Sequence, residues 1–392
     1  MNVIVAGHIC LDIFPQLTSI SREAFEQSFL PGHLIECGPA ALATGGAVSN
    51  VGLGLHRLGV PVKLMGKIGA DLFGQAVRQI VEAQGPGLAD GLIVDPAGAT
   101  SYTVIINPPE VDRIFLHYPG PNDTFSAADV RYDLTAAAQV FHFGYPPVMR
   151  RMYEADGAEL IEIFRRVRAD GVTTSLDMAF PDPAAPAGRA DWVKILRRVL
   201  PYVDIFLPSV EEILFMLRRP AYEDLYRCYG ADLLEGITPE LLSSLGDELL
   251  AMGVKIVGLK LGHRGFYLRT ADRAAMARLG RAAPSDPAAW ADLEIWTPCF
   301  QAEVVGTAGA GDATVSGFLA GLLRDLSPVE AAIAAVAVGA CCVEAADTLS
   351  GIRPWDETLR RVAAGWPRHP LTLDAAGWQL DAEHGLWIRP RR

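Results

Sequence analysis

The 392-residue sequence lacks the features of membrane-spanning and nucleic-acid-binding proteins. Its longest apolar run, Ala331 to Val343, is too short for a helix that crosses a bilayer, which needs about 20 residues. The net charge is −12, and Lys and Arg form no dense block that could follow a phosphate backbone. We therefore expect neither a membrane nor a nucleic acid as partner, although a local site could still hold a small anion.

Cysteine pairs and metal-ligand spacings are also missing. The six cysteines include no C-x-x-C pair, and the eight histidines show neither H-E-x-x-H nor a Cys/His spacing typical of zinc sites. The first ten residues, MNVIVAGHIC, carry no basic segment ahead of the apolar ones, so we expect no signal peptide. Together these absences predict a cytoplasmic protein with reduced thiols and no zinc.

Two common nucleotide-binding motifs do not occur either. No Lys-Ser/Thr follows a glycine-rich loop, which excludes a Walker A motif, and no G-x-G-x-x-G dinucleotide fingerprint is present. A Rossmann dehydrogenase therefore has the least support among the enzyme classes considered.

The patterns that are present predict an α/β fold. Hydrophobic residues make up 50% of the chain and charged residues 20%, enough for a large core. Short apolar strands alternate with segments of helical periodicity, which predicts a mostly parallel central sheet flanked by helices on both faces. These strands are Val3–Gly7, Val140–Phe143, Thr173–Leu176, Asp204–Leu207 and Ile256–Leu259.

A few segments depart from this alternation. Residues 98–118 alternate around the polar turn NPPEVD, which predicts an antiparallel hairpin outside the main sheet. A projecting sheet with one apolar face often buries it against a second copy, so a homodimer is expected. Residues 216–247 predict an extra helical excursion.

The stretch EVVGTAGAGDATVSGF, from Glu303 to Phe318, is the first candidate site. Its small residues lead into a helix, and the free N–H groups at a helix amino terminus attract anions. Asp312 at its first turn could act as a helix cap, or as a base that removes a proton from a hydroxyl. Taken alone, the motif favours a glycine turn with Asp312 as the cap, because short motifs often occur by chance.

Two further candidates lie near the amino terminus. Asp12 follows the first strand, at the edge where open α/β sheets bind ligands, and a carboxylate there could accept hydrogen bonds from sugar hydroxyls. Gly45-Gly46-x-x-x-Asn50 opens a helix and permits close approach of a ligand. Taken alone, Asp12 could equally be a loop residue that caps a turn. The glycine pair could equally be a tightly packed start of a helix.

The order of these motifs resembles that of the PfkB (ribokinase-like) family of carbohydrate and nucleoside kinases. The resemblance covers roughly residues 3–355. It implies a ribokinase-like kinase domain over residues 1–360, with a small antiparallel β-sheet lid from about 12–40 and 98–118. Residues 361–392 would then be a C-terminal extension.

The resemblance also implies the chemistry. The family transfers the γ-phosphate of ATP to a hydroxyl with Mg²⁺. Asp312 matches its catalytic base, and the backbone of Gly309, Ala310 and Gly311 matches its anion hole. The positions that match sugar-holding residues are Asp12, Gly45, Gly46 and Asn50. The positions that match nucleotide-binding residues are Ser209, Glu212, Lys260, Gly262 and Gly265, and Glu212 would reach the metal through water.

Four positions depart from the family pattern. Ser209 replaces the Asn of an N-x-x-E motif, and Lys260 replaces a Thr, which places a cation where it could pair with phosphate. Gly306 replaces an Asp of a monovalent-cation site, which leaves a potassium requirement open. Cys10 replaces an Asn that contacts sugar hydroxyls, so ribose itself is less expected.

Alternatives to a sugar kinase stay open at this point. A nucleoside kinase of the same fold could stack its base on Phe14, Tyr102, Phe115 or Tyr118. A non-catalytic nucleotide or sugar sensor would fit the changes at Ser209 and Gly306.

Overall fold

The computed structural model describes residues 3–17, 22, 25, 27, 29–107 and 114–389. Its strands in chain order are β1 (Val3–Gly7), β2 (Cys10–Gln16), β3 (Gly38–Gly45), β4 (Val62–Met65), β5 (Lys67–Gly69), β6 (Ile93–Asp95), β7 (Tyr102–Ile106), β8 (Ile114–Tyr118), β9 (Val140–Gly144), β10 (Thr173–Leu176), β11 (Ile205–Phe206), β12 (Ile256–Lys260), β13 (Phe266–Thr270), β14 (Glu294–Thr297), β15 (Gln379–Asp381) and β16 (Leu386–Arg389).

The α-helices of the same residues are α1 (Ala47–Arg57), α2 (Leu72–Gln84), α3 (Tyr132–Thr135), α4 (Arg150–Tyr153), α5 (Ala158–Ala169), α6 (Trp192–Val199), α7 (Val210–Leu217), α8 (Arg219–Tyr229), α9 (Pro239–Ala251), α10 (Arg273–Met276), α11 (Ala310–Leu323), α12 (Pro328–Cys342) and α13 (Trp355–Ala363). Within the described residues, no helix is both long and apolar enough to cross a membrane.

A ten-stranded sheet runs through the middle of the described structure, in the order β4-β1-β9-β10-β11-β12-β13-β14-β16-β15. The pairs from β4 to β12 are parallel, and those from β12 to β15 are antiparallel. The predicted α/β fold with a mostly parallel central sheet is confirmed.

Both faces of this sheet are buried. Along β1, Val3 and Val5 belong to one hydrophobic cluster, which also contains residues of α1, α11 and α12. Ile4 and Ala6 belong to a second cluster, with residues of α5, α6 and α9. Because side chains alternate along a strand, the continuous apolar run of β1 fills two cores at once. The helices therefore flank the sheet on both faces, as predicted.

The strand order reverses at β1. From β1 the chain crosses to β4 on one side, whereas β9 to β12 follow one another on the other side. Open α/β sheets bind ligands at such a reversal, outside the carboxyl ends of the strands. Residues at the ends of β1, β9, β10, β11 and β12 consequently lie along one edge.

Helix α11 is anchored beside α1 at this edge. Ser316 of α11 donates a hydrogen bond from Oγ to the Val51 carbonyl of α1, at 3.1 Å. The next helix, α12, begins with the capping box Ser327–Glu330 and Pro328. These contacts fix where α11 begins. They also fix the position of the GAGD loop, which is Gly309-Ala310-Gly311-Asp312.

A separate small sheet has the order β3-β2-β7-β8. The β2–β3 and β7–β8 pairs are antiparallel and the β2–β7 pair is parallel. This is the predicted lid sheet, and residues 108–112 of the predicted turn lie outside the described residues. Asp12 pairs with Thr103, and Thr103 pairs with His117, so all three share one face of the lid.

The C-terminal residues join the central sheet. Strands β15 and β16 form a hairpin, and β16 pairs with β14. Trp366 stacks on Phe300, with ring centroids 4.6 Å apart. Residues 216–247 are largely helical, as predicted, and α8 within them has no buried residue.

Candidate active site

Asp312 lies in the first turn of α11, and its carboxylate does not cap the helix. The N-cap residue is Gly309, at φ 74°, and no side chain caps this end. A positive φ is unfavourable for residues with a Cβ, so glycine is the residue that this turn accepts at low cost. The Ala310 N–H donates to the Thr307 carbonyl at 3.3 Å, and no side chain in the described part of the protein bonds to the N–H groups at this end of α11, which argues against the helix-cap role for Asp312.

The Asp312 side chain is buried and is held by groups from two other elements. Tyr145, directly after β9, donates from Oη to both carboxylate oxygens, at 2.8 and 2.7 Å. Asn50 of α1 donates from Nδ2 at 2.9 Å. Burial raises the pKa of Asp312, while the charge of Lys260 and the hydrogen bonds from Tyr145 and Asn50 oppose that rise. A raised pKa makes the carboxylate a stronger base.

Tyr145 was not among the residues that the sequence suggested. Its backbone has φ 67°, a left-handed conformation that is rare for an aromatic residue and is common at functional sites. Burial and the neighbouring Asp312 raise the pKa of its phenol well above the usual value, so it stays a hydrogen-bond donor. The sequence signal was its position, immediately beyond a parallel strand at the ligand-binding edge.

Asp12 projects from the lid face that Thr103 and His117 share. Its Oδ1 lies 3.3 Å from the Cys10 thiol. Burial raises the pKa of Asp12 to about 6. A Cβ at position 45 would overlap with this carboxylate, so Gly45 is what lets β3 approach Asp12. Gly46 follows as the N-cap residue of α1.

His8 lies beside these residues and was also missed. A Cβ on Gly46 would come 2.5 Å from His8 Nδ1, and the ring centroid of His8 is 5.4 Å from that of His117. Burial, and then the charge of His117, lowers the pKa of His8 to about 3, so its ring is neutral. Neither ring nitrogen has a hydrogen-bond partner among the described residues.

A cavity of about 560 Å³ lies on the other side of Asp312. It is lined by nearly all of the predicted nucleotide and phosphate residues, which are Ser209, Glu212, Lys260, Gly262, Gly265, Gly309, Ala310, Gly311 and Asp312. Ligand pockets are typically of this size. The predicted sugar residues Asp12, Gly45, Gly46 and Asn50 do not line it, and Asn50 connects the two groups through Asp312.

Ser209 and Glu212 form a capping box at the start of α7. The Glu212 N–H donates to Ser209 Oγ at 3.3 Å, and the Ser209 N–H donates to Glu212 Oε2 at 2.7 Å. The serine in place of the family's asparagine therefore keeps a structural role, since it holds the Glu212 backbone at the cavity.

Lys260, at the end of β12, forms a buried ion pair with Asp177. Lys260 Nζ lies 2.6 Å from Asp177 Oδ1. Burial by itself would lower the pKa of Lys260, but the carboxylates of Asp177, Glu212 and Asp312 raise it above its usual value. Asp177 follows β10 and was missed, although its place after a parallel strand is the same signal as for Tyr145.

Comparison with protein families gives one match over most of the chain. The family described as pfkB family carbohydrate kinase matches residues 16–355. An uncharacterized sugar kinase of Archaeoglobus fulgidus is 24% identical over 292 residues, which is 74% of this chain and 95% of the relative. A probable chloroplastic fructokinase of Arabidopsis thaliana is 24% identical over 328 residues, 83% of this chain and 71% of the relative.

Solved structures share the fold. A fructokinase with bound ATP from Xylella fastidiosa superposes with a TM-score of 0.67 at 20% identity, and the match covers 92% of this chain and 98% of that one. The ribokinase-like architecture expected from the motifs is thereby confirmed.

Replacing Tyr145 by Phe tests whether its hydroxyl tunes Asp312. The one O–H that Tyr145 shares between the two carboxylate oxygens is lost, and with it a hydrogen bond to the ionised form, so the pKa of Asp312 should rise further. Titration of labelled aspartate carboxyl carbons by NMR measures this. Tyr153→Phe is the matched control, because that ring packs on Trp192 instead. A pKa of Asp312 that is the same in both variants would contradict the assignment.

Proposed function

We infer the reaction of this protein from its family: the chain belongs to the pfkB family of carbohydrate kinases. It is a phosphotransferase with an alcohol group as acceptor. We propose that it transfers the γ-phosphoryl group of ATP to a hydroxyl of a small sugar or sugar derivative. The observation that carries this proposal is the buried Asp312 carboxylate, which lines the cavity together with Gly309–Gly311 and accepts a hydrogen bond from Asn50, one of the predicted sugar residues.

In this reaction Asp312 is the general base. It takes the proton of the acceptor hydroxyl, whose oxygen bonds to the γ-phosphorus while the bond to the β-phosphate oxygen breaks and ADP leaves. The backbone N–H groups of Gly309, Ala310 and Gly311 stabilise the negative charge of the transferring group. Tyr145 and Asn50 position the carboxylate.

The sugar would be held by Asp12, Gly45, Gly46 and Asn50. An ionised Asp12 accepts hydrogen bonds from hydroxyls, and Asn50 Oδ1 is buried without a partner among the described residues, so it is an acceptor that a hydroxyl could satisfy. The two glycines allow the ligand to approach the backbone.

ATP would occupy the cavity, with Ser209, Glu212, Lys260, Gly262 and Gly265 around it. The residues fit a Mg²⁺ ion bound mainly by phosphate and water, since Asp177 Oδ2 is a buried carboxylate oxygen without a partner among the described residues. Glu212 would reach the metal through water. Mg²⁺ would neutralise phosphate charge. Position 306 offers no carboxylate, so nothing there favours a potassium requirement.

The lid argues for a sugar over a nucleoside. Tyr102 pairs with Leu11 and with Tyr118, so these two aromatic residues lie on the opposite face of the lid from Asp12. Phe14 and Phe115 remain on the Asp12 face as stacking partners for a base. Half of the predicted aromatic set is therefore turned away from the substrate, which leaves a nucleoside kinase as the second candidate.

Asp312→Asn tests the base. Turnover should fall by about 10² to 10⁴-fold, because an amide cannot take the hydroxyl proton, while ATP binding persists. ADP release over a panel of sugars and nucleosides, with and without potassium, measures this. Asp325→Asn, two residues beyond the end of the same helix and bonded to Ser285, is the matched control and should keep full activity.

Two results of that experiment would contradict the proposal. Near-normal turnover of Asp312→Asn would remove the base. Tight binding of ATP or sugar by the wild-type protein without ADP release on any acceptor would favour a non-catalytic sensor instead.

Asp12 makes sugar binding depend on pH. Because its pKa is raised to about 6, the carboxylate is ionised above that pH and protonated below it. Sugar affinity should thus fall by up to about tenfold per pH unit below pH 6. Calorimetric titration with sugar in the absence of ATP measures this. Asp12→Asn should bind weakly at every pH, and a wild-type affinity that is flat from pH 5 to 7 would rule the role out.

We also propose a homodimer through the lid. The edge strands β3 and β8 expose Leu42, Ile114, Phe115 and Leu116. Apolar residues on sheet edges favour association with another chain. Light scattering should give twice the monomer mass at micromolar concentration, and Leu116→Glu should shift it towards the monomer. A wild-type monomer under these conditions would contradict the proposal.

A further inference from the structure

Two buried lysine–aspartate pairs lie at opposite ends of β12, and they differ in what surrounds them. Lys255 precedes the strand and lies 2.6 Å from Asp204 Oδ1. Lys260 ends the strand and lies 2.6 Å from Asp177 Oδ1. The same strand therefore has one lysine–aspartate pair at the ligand-binding edge of the sheet and one at the opposite edge. The two pairs differ in their hydrogen-bond partners.

The Lys255 pair has several hydrogen-bond partners inside the protein. Its ammonium also donates to the Arg278 carbonyl, and Asp204 accepts further hydrogen bonds from Arg168, Thr174 and its backbone N–H. Buried ions need such partners, because each unsatisfied group costs free energy. With two ammonium donors and both carboxylate oxygens bonded inside the protein, this pair has the character of a structural tie between strands.

The Lys260 pair is not saturated. Among the described residues, Lys260 Nζ donates a hydrogen bond only to Asp177, although an ammonium has three N–H donors. Asp177 Oδ2 has no partner there either. Lys260 also lines the 560 Å³ cavity. A buried cation that lines a cavity and has unused hydrogen-bond donors can bind an anionic ligand from solution.

The Lys260 side chain lies beside the first turn of α11. A Cβ built on Gly311 would lie 3.5 to 3.7 Å from the last three atoms of the Lys260 side chain, ending at Nζ. The ammonium is thus close to the backbone of Gly311, which no described side chain caps. Charge and backbone donors converge on one place, which is the position proposed for the transferring phosphoryl group.

We propose that Lys260 is a catalytic residue whose ammonium contacts the phosphoryl group as it passes from ATP to the hydroxyl, and that Asp177 positions it. This rests on the proposed kinase function. Lys260 forms and breaks no covalent bond and transfers no proton; it stabilises the negative charge on the phosphoryl oxygens. A charged donor within a site shielded from water is worth much more than one in solution.

Lys260→Gln tests this, since the amide can still donate to Asp177 but carries no charge. Turnover should fall by about 100-fold, the usual loss when one preorganised donor is removed. Lys260→Ala should be equally slow, and added methylammonium should restore part of its turnover. Lys255→Met is the matched control: it should lower the melting temperature, keep turnover in the folded protein and show no response to methylammonium.

A binding measurement separates catalysis from nucleotide binding. With sugar and Mg²⁺ present, ADP plus aluminium fluoride mimics the phosphoryl group in transfer, and transition-state mimics report interactions that form only there. Lys260→Gln should lose about 100-fold in affinity for this mimic and keep its affinity for ADP alone. Calorimetry gives both values without turnover.

The outcomes separate this inference from the proposed function. If the wild-type protein phosphorylates a sugar and folded Lys260→Gln keeps its turnover and its affinity for the mimic, Lys260 is a structural residue and the inference is wrong. Equal losses for ADP and for the mimic would also overturn it. A wild-type protein without ADP release on any acceptor would instead contradict the kinase proposal.

Discussion

Burial of the Asp312 carboxylate is the constraint on which the rest of the site depends. An ionised carboxyl group taken out of water loses its hydration, and the protein must supply partners in return. Here the partners come from three different elements: Asn50 from α1, Tyr145 after β9 and the charge of Lys260 at the end of β12. They compensate only in part, so the pKa of Asp312 stays raised. That incomplete compensation is useful, because a fully stabilised carboxylate would be a poor base.

The fold follows from the need to bring these partners together. Residues 50, 145, 260 and 312 are far apart in sequence, and a parallel sheet with a reversal at β1 collects the ends of its strands at one edge. The contact from Ser316 to the Val51 carbonyl then holds α11 against α1, one residue away from Asn50. The lid adds Asp12, which does not line the cavity. Under the proposed function, Asp312 is linked to both substrate sites, since it lines the cavity proposed for ATP and accepts a hydrogen bond from Asn50 of the proposed sugar site.

The sequence predicted those parts of the site that consist of short motifs of neighbouring residues. The GAGD turn, the glycine pair before Asn50 and the acid after β1 are each short and recognisable, and periodicity predicted the sheet. Tyr145, Asp177 and His8 were missed because each is an ordinary residue beside a strand end, and its role depends on which distant element packs against it. Asn50 was predicted to contact the sugar, and its contact with Asp312 could not be foreseen, since it depends on how α1 and α11 pack. The outward orientation of Tyr102 and Tyr118 was equally hidden, because it follows from the strand register.

Charge balance explains why the Thr-to-Lys departure at position 260 suits this chain. Asp177, Glu212 and Asp312 all act electrostatically on the Lys260 ammonium, and a nucleotide in the proposed site would bring several more negative charges. Electrostatic repulsion between these carboxylates and the phosphates of a nucleotide is large in a site of low dielectric constant. A Mg²⁺ ion would offset the charge of the phosphates, and the Lys260 ammonium offsets that of the three carboxyl groups before any ligand arrives. Gly306 adds no further acid nearby. A single buried cation thus offsets three carboxyl groups in this chain, a compensation of charge that a neutral threonine at position 260 would not supply.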